Sequence, residues 1–235
     1  MELFGEFFGT MVLIVLGCGI NASNSLNKTL VKNLGSSWVL TVLGWGFAVV
    51  FGVYTAAWFG APGHLNPAVT IGAVIGGGFP MSNVFPYIAV QVLGALVGAA
   101  LVVIQYYPHF QATPPEEGNG VGIFGTGPAI EHTVFNFLSE VIATFIFVFA
   151  INTLGDFTTG LKPYIVGMLV VSIGISFGGT TGYAINPARD FGPRLAYQLL
   201  PVPHKTSANW GYAWIPIVGP IVGAVLANLL TVAFQ

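Results

Sequence analysis

Charge is nearly missing from this chain. Of its 235 residues, six are Lys or Arg and eight are Asp or Glu, 6% in all against roughly 25% in soluble domains. With 54% hydrophobic residues and a mean hydropathy of +0.82, a water-soluble domain is excluded. The net charge of −2 leaves no basic field to hold a phosphate backbone, so nucleic acid is excluded as a partner. Cysteine is scarcer still. The single Cys18 rules out an internal disulfide framework and any Cys-rich metal site, and it reads as a small buried hydrophobe. His109, His132 and His204 form no spaced ligand set, so no metal is expected. The glycines lack a strand context and a GK[ST] ending, which removes the nucleotide-binding fingerprints, and no cofactor is expected. No Ser, Asp or His constellation with catalytic spacing occurs, so no catalytic residue is assigned and an enzyme is the weakest reading. What the chain has in excess is 32 Gly and 15 Pro, more breakers than a stack of simple spanning helices needs.

A hydrocarbon core about 30 Å thick takes about 20 apolar residues in a helix. Six stretches qualify: Leu3 to Ile20, Ser37 to Trp58, Val84 to Tyr106, Thr133 to Asn152, Pro163 to Phe177 and Trp214 to Ala233. The first has Glu6 where a secretion signal carries positive charge, so it reads as a retained helix. Asn21 to Ser36 reads as a polar loop, and 108–131 as a connection without helical periodicity. The expected class is therefore an all-α, multi-pass membrane protein: one domain over 1–235, with halves at about 1–107 and 132–235.

Two apolar pieces are too short to span, Pro67 to Gly77 and Pro187 to Leu199. Each opens on the same triplet, Asn66-Pro67-Ala68 and Asn186-Pro187-Ala188, 120 residues apart. Asn is a good N-cap and Pro suits the first helical position, so each triplet starts a half-helix. Glu6 and Glu140 stand near the start of matching spans, and GALVGA near Gly94 resembles GPIVGA near Gly219. Each half then reads span, span, half-helix, span. Three spans is an odd number, so the second half lies inverted and the half-helices enter from opposite faces. Irregular backbone at membrane depth is tolerated only against protein or a water-filled cavity, so the loops at Gly60 to Leu65 and Gly178 to Ile185 argue for a pore or a site.

Facing half-helices bring about half a positive charge each to the lumen, and the Asn66 and Asn186 amides can donate hydrogen bonds there. Neutral solutes with oxygen acceptors are welcome, whereas cations and a relayed proton are opposed. Arg189 lies on the first turn of the second half-helix, where an intramembrane charge points to function. Asp190 and Arg194 are i,i+4 neighbours suited to a structural pair. Glu6 and Glu140 lack basic companions and read as scaffold, accepting from loop N–H groups. His64 precedes the first triplet in a vestibule, with gating and loop packing as its two readings. Stripes at Gly94/Gly98 and Gly219/Gly223 allow close helix crossings within or between protomers.

The two boxes, NPAVT from Asn66 and GYAINPARDFGP from Gly182, resemble the signatures of the major intrinsic protein family, the aquaporins and aquaglyceroporins, over essentially the whole chain. The resemblance implies a right-handed bundle of six spans with two re-entrant half-helices, assembled as a homotetramer with one pore per protomer. It further implies a constriction made by Trp45, Gly174, Tyr183 and Arg189, similar to the glycerol-conducting branch of bacterial glycerol uptake facilitators. Gly174 would leave space where water-selective members carry His, and Trp45 with Tyr183 would form an aromatic corner. A one-residue shift would put Gly46 in the ring instead of Trp45. Tyr183 departs from the usual Phe, and its phenolic oxygen either narrows the opening or adds a polar contact. The implied function is passive conduction of glycerol, water and other small neutral solutes through a cell membrane. A water-selective channel, a facilitator for dihydroxyacetone, urea, hydrogen peroxide or lactic acid, and a proton-coupled transporter are the rivals. The resemblance also implies a bacterial plasma membrane with both termini cytoplasmic. That topology places Lys28, Lys32 and Lys205 outside and Lys162 inside, against the positive-inside tendency.

Overall fold

A computed structural model describes residues 1–118 and 120–234. Among these, six helices are long and apolar enough to cross a membrane, and no strand occurs. The spans are Glu2–Ser25, Trp38–Trp58, Val84–Gln105, Thr133–Thr153, Lys162–Thr181 and Ile215–Ala233. Two shorter helices, Pro67–Ile75 and Pro187–Leu199, lie between the second and third and between the fifth and sixth. The chain is thus an all-α, multi-pass membrane protein.

The first span packs against the second and third, and the fourth against the fifth and sixth. Within each half the glycine stripe makes this possible. A Cβ on Gly98 would stand 2.7 Å from the Met11 carbonyl oxygen, and one on Gly219 would stand 2.8 Å from Glu140 Cβ. The stripes therefore serve crossings inside the protomer. The halves meet along the second and fifth spans, where Gly46 and Gly167 lie backbone to backbone. The short helices cross over. The one at Pro67–Ile75 packs chiefly on the sixth span, and the one at Pro187–Leu199 chiefly on the third.

Several boundaries differ from the sequence reading: the first half-helix stops at Ile75 rather than Gly77, and the expected loop Asn21 to Ser36 carries a short helix at Leu30–Asn33. The first span continues through Ser25, so Asn21 to Ser25, expected as loop, is helix. Its polar side chains have partners there: Asn24 donates to Thr41 Oγ1 at 2.8 Å, and Asn21 bonds to Trp45 and Ile123. The fifth span runs to Thr181 rather than Phe177, despite glycines that are poor helix formers. Trp38 packs over Gly178 and its indole N–H reaches the Gly174 carbonyl at 3.2 Å, so tertiary contact overrides propensity. Gly182, left-handed at φ 81°, ends that helix with its N–H on the Gly178 carbonyl. The connection 108–131 carries a short helix at Tyr107–Gln111 and single turns at Pro115–Glu117 and Val121–Ile123.

Candidate functional site

The two short helices begin as their sequences dictate. Asn66 Oδ1 accepts the Ala68 N–H at 2.9 Å, and Asn186 Oδ1 accepts those of Ala188 and Arg189 at 3.0 and 3.2 Å. Proline follows each cap, where no N–H is needed. The caps are also reciprocal across the molecule. Asn66 Nδ2 donates to the Ile185 carbonyl and Asn186 Nδ2 to the Leu65 carbonyl, both at 2.8 Å. The helix N-termini therefore face each other, and each amide keeps one further hydrogen for a passing acceptor.

Those carbonyls come from unusual backbone. Leu65 and Ile185 are left-handed, at φ 51° and 43°, a conformation that costs about 1–3 kcal/mol for a residue with a bulky side chain. A buried carboxylate holds each in place. Glu6 accepts the His64 and Leu65 N–H groups at 2.8 and 2.7 Å and the Gln91 amide at 2.8 Å. Glu140 accepts Thr181 Oγ1 at 2.7 Å and the Ala184 and Ile185 N–H groups at 3.0 and 2.9 Å. His64 is a packed residue: Nδ1 lies 3.2 Å from Thr70 Oγ1, and the ring abuts Phe79 and Tyr87. It also lines the cavity described next.

A cavity of about 440 Å³ runs past both asparagines, from Lys162 and Asn152 at one end to Trp45, Tyr183 and Arg189 at the other. Trp45 belongs to the lining, whereas Gly46 lies against Gly167 of the fifth span. The Arg189 guanidinium carbon stands 3.7 Å from the Trp45 ring centre, and Nη1 donates to the Phe124 carbonyl at 3.0 Å. Tyr183 meets Trp38 edge to face.

Gly174 is not itself among the lining residues. A Cβ there would lie 2.8 Å from Tyr183 Cζ and 2.8 Å from Val42 Cγ1, so the missing side chain makes room for the tyrosine ring rather than for open lumen. The Tyr183 hydroxyl is buried without a hydrogen-bond partner among the described residues, so it neither protrudes into the cavity nor offers an exposed polar contact.

Behind the ring, Asp190 and Arg194 form a buried ion pair at 2.7 Å. Asp190 also accepts the Thr126 N–H at 2.6 Å, and Arg194 donates to the Thr126 and Ala208 carbonyls, both at 2.7 Å. Every charge in this layer is met by a partner, as burial demands. Sequence reasoning missed the part played by 123–126. Its contributions are mostly backbone carbonyls, which no side-chain identity announces.

The chain is similar to known proteins along nearly its whole length. The family model for major intrinsic protein matches residues 1–231. The glycerol uptake facilitator protein 2 of Lactiplantibacillus plantarum is 58% identical over 224 residues, covering 95% of this chain and 94% of the relative. The glycerol uptake facilitator protein of Streptococcus pneumoniae (strain ATCC BAA-255 / R6) is 50% identical over 231 residues, 97% of each chain. Among solved structures, the aquaglyceroporin from Plasmodium falciparum superimposes with a TM-score of 0.82 at 34% identity, covering 97% of this chain and 93% of that one. Paired asparagine-capped half-helices inside six spans, matched along nearly the whole sequence, place this chain in the major intrinsic protein family.

Proposed function

We propose that the chain is a passive channel for glycerol and other small uncharged solutes together with water, and that it excludes ions and protons. The observation that carries this reading is the ring at the cavity's end, where two aromatic walls, Trp45 and Tyr183, stand beside the cation Arg189. Such a corner suits a solute with carbons on one side and hydroxyls on the other. The carbon backbone lies against the aromatic faces while the free guanidinium N–H groups take the hydroxyl oxygens. The names of the relatives, glycerol uptake facilitators and an aquaglyceroporin, support the same substrate class.

Beyond the ring, the solute passes Asn66 and Asn186, whose remaining amide hydrogens replace part of the hydration lost on entry. The facing half-helix ends and Arg189 set positive potential along this path, opposing cations and orienting water against proton relay. Residues 1–235 form one channel domain, built of inverted repeats at about 1–107 and 132–235 joined by 108–131. The matched positions of Glu6 with Glu140 and of Leu65 with Ile185 support that symmetry. We assign a homotetramer with one pore per protomer, set in a bacterial plasma membrane with both termini cytoplasmic.

Stopped-flow light scattering on liposomes carrying the protein tests the substrate. Glycerol entry is expected well above the bare-lipid rate, linear in its gradient and indifferent to a proton gradient. Fast water flux without faster glycerol entry would overturn the glycerol reading, and dependence on a proton gradient would replace the pore with a carrier.

A further inference from the structure

The filter tryptophan is held by a residue on another helix. Trp45 Nε1 donates to Asn21 Oδ1 at 3.1 Å, and Asn21 Nδ2 donates to the Ile123 carbonyl at 3.1 Å. These two bonds settle the amide's orientation. Turning it over would set its NH2 against the indole N–H and its oxygen against a carbonyl oxygen. One turn earlier on the same helix, a Cβ at Gly17 would collide with the six-membered ring of Trp45, so the indole lies directly on the helix there. Arg189 covers the ring from another side at 3.7 Å. The next carbonyl in the connection, that of Phe124, accepts from Arg189 Nη1. Two filter side chains therefore hang from consecutive carbonyls, Arg189 directly and Trp45 through Asn21.

We propose that Asn21 is a positioning residue of the filter: it fixes the plane of the Trp45 indole and takes up its only N–H, so that the ring shows a passing solute carbon and no donor. This rests on the reading of Trp45 as a filter wall. The physical reason is that indole has a single donor and a buried donor without a partner is disfavoured. Without Asn21 Oδ1 the N–H turns toward the cavity that Trp45 lines, and the ring leaves its seat on Gly17. The corner then gains a polar point that water uses and loses the flat wall that a three-carbon chain uses. Asn21 contacts no solute. Its effect is on discrimination.

The experiment is a double-mutant cycle in liposomes, with the ratio of glycerol to water permeability as the readout, a quantity independent of how much protein inserts. Asn21→Leu is expected to lower the ratio by about three- to tenfold, the range set by the net worth of one hydrogen bond. In a Trp45→Phe background, which has no N–H to hold, the same substitution is expected to leave the ratio unchanged. Where Asn21→Leu does not reach the membrane, Asn21→Ala carries the test in both backgrounds. An unaltered ratio in the single variant, or an equal fall in the Phe background, overturns the proposal. If Trp45→Phe alone leaves the ratio unaltered, the filter reading fails first and Asn21's role goes with it.

Discussion

Replacing Glu140 by Gln changes one atom's chemistry and almost no volume, yet the structure leaves no orientation in which the amide fits. One carboxylate oxygen accepts the Thr181 hydroxyl and the Ala184 N–H, and the other accepts the Ile185 N–H. Whichever side receives the NH2 group, it meets a backbone donor that has lost its acceptor, in a site with no exposure. An unmade bond of this kind costs about 1–3 kcal/mol. In the orientation that keeps the bonds from Thr181 and Ala184, the loss falls on Ile185, whose left-handed backbone that bond helps to hold and whose carbonyl receives Asn66. We expect Glu140→Gln to lower the thermal unfolding midpoint of the detergent-solubilised protein by roughly 2–12 °C, taking about 2–4 °C per kcal/mol for a chain of this size. Glycerol flux per inserted protomer should fall as well, because a released Ile185 frees the Asn66 amide from its fixed direction. A variant with unchanged midpoint and unchanged flux would refute the assignment of Glu140 as the brace of this loop.

Gly174→Ala inserts a methyl 2.8 Å from both Tyr183 Cζ and Val42 Cγ1, and the tyrosine ring is the neighbour with open space to enter. Glycerol permeability is expected to drop by about tenfold with water much less affected, on the scale of an overpacking penalty of roughly 1–3 kcal/mol; equal loss of both in the stopped-flow assay would place Gly174 outside the filter. Tyr183→Phe removes a buried hydroxyl that has no partner among the described residues. It should keep glycerol conduction and raise stability by about 1 kcal/mol, measured by thermal unfolding, whereas slower glycerol entry would mean that the hydroxyl reaches the solute.

Much of the plan was legible because hydrophobic length and the repeated Asn-Pro-Ala are local signals. Six apolar runs gave six spans, and both triplets cap short helices. The second half-helix, Pro187 to Leu199, agrees at both ends. Asn21 shows where local signals stop: a polar residue after an apolar run looks like loop, and only its two partners, one 24 and one 102 positions away, make it helix. Gly174 gives a second case. Its small size was readable, but which neighbour enters the space depends on Tyr183, nine residues on and beyond a left-handed turn. The contribution of Ile123 and Phe124 had no side-chain signature, since their carbonyls carry it, and Thr126 acts mainly through its backbone, with its hydroxyl adding a bond to Asp190.

The crossed seating of the short helices bears on how the chain is made. The helix at Pro67–Ile75 finds its main partner in Ile215–Ala233, a span made much later in synthesis. Until that span is made, the segment has no settled berth, and until Ile185 is made the Asn66 amide lacks the carbonyl that it will hold. The facing caps at Asn66 and Asn186 are therefore assembled only after the second half of the chain has been made, so a prematurely ended chain lacks the paired half-helix ends.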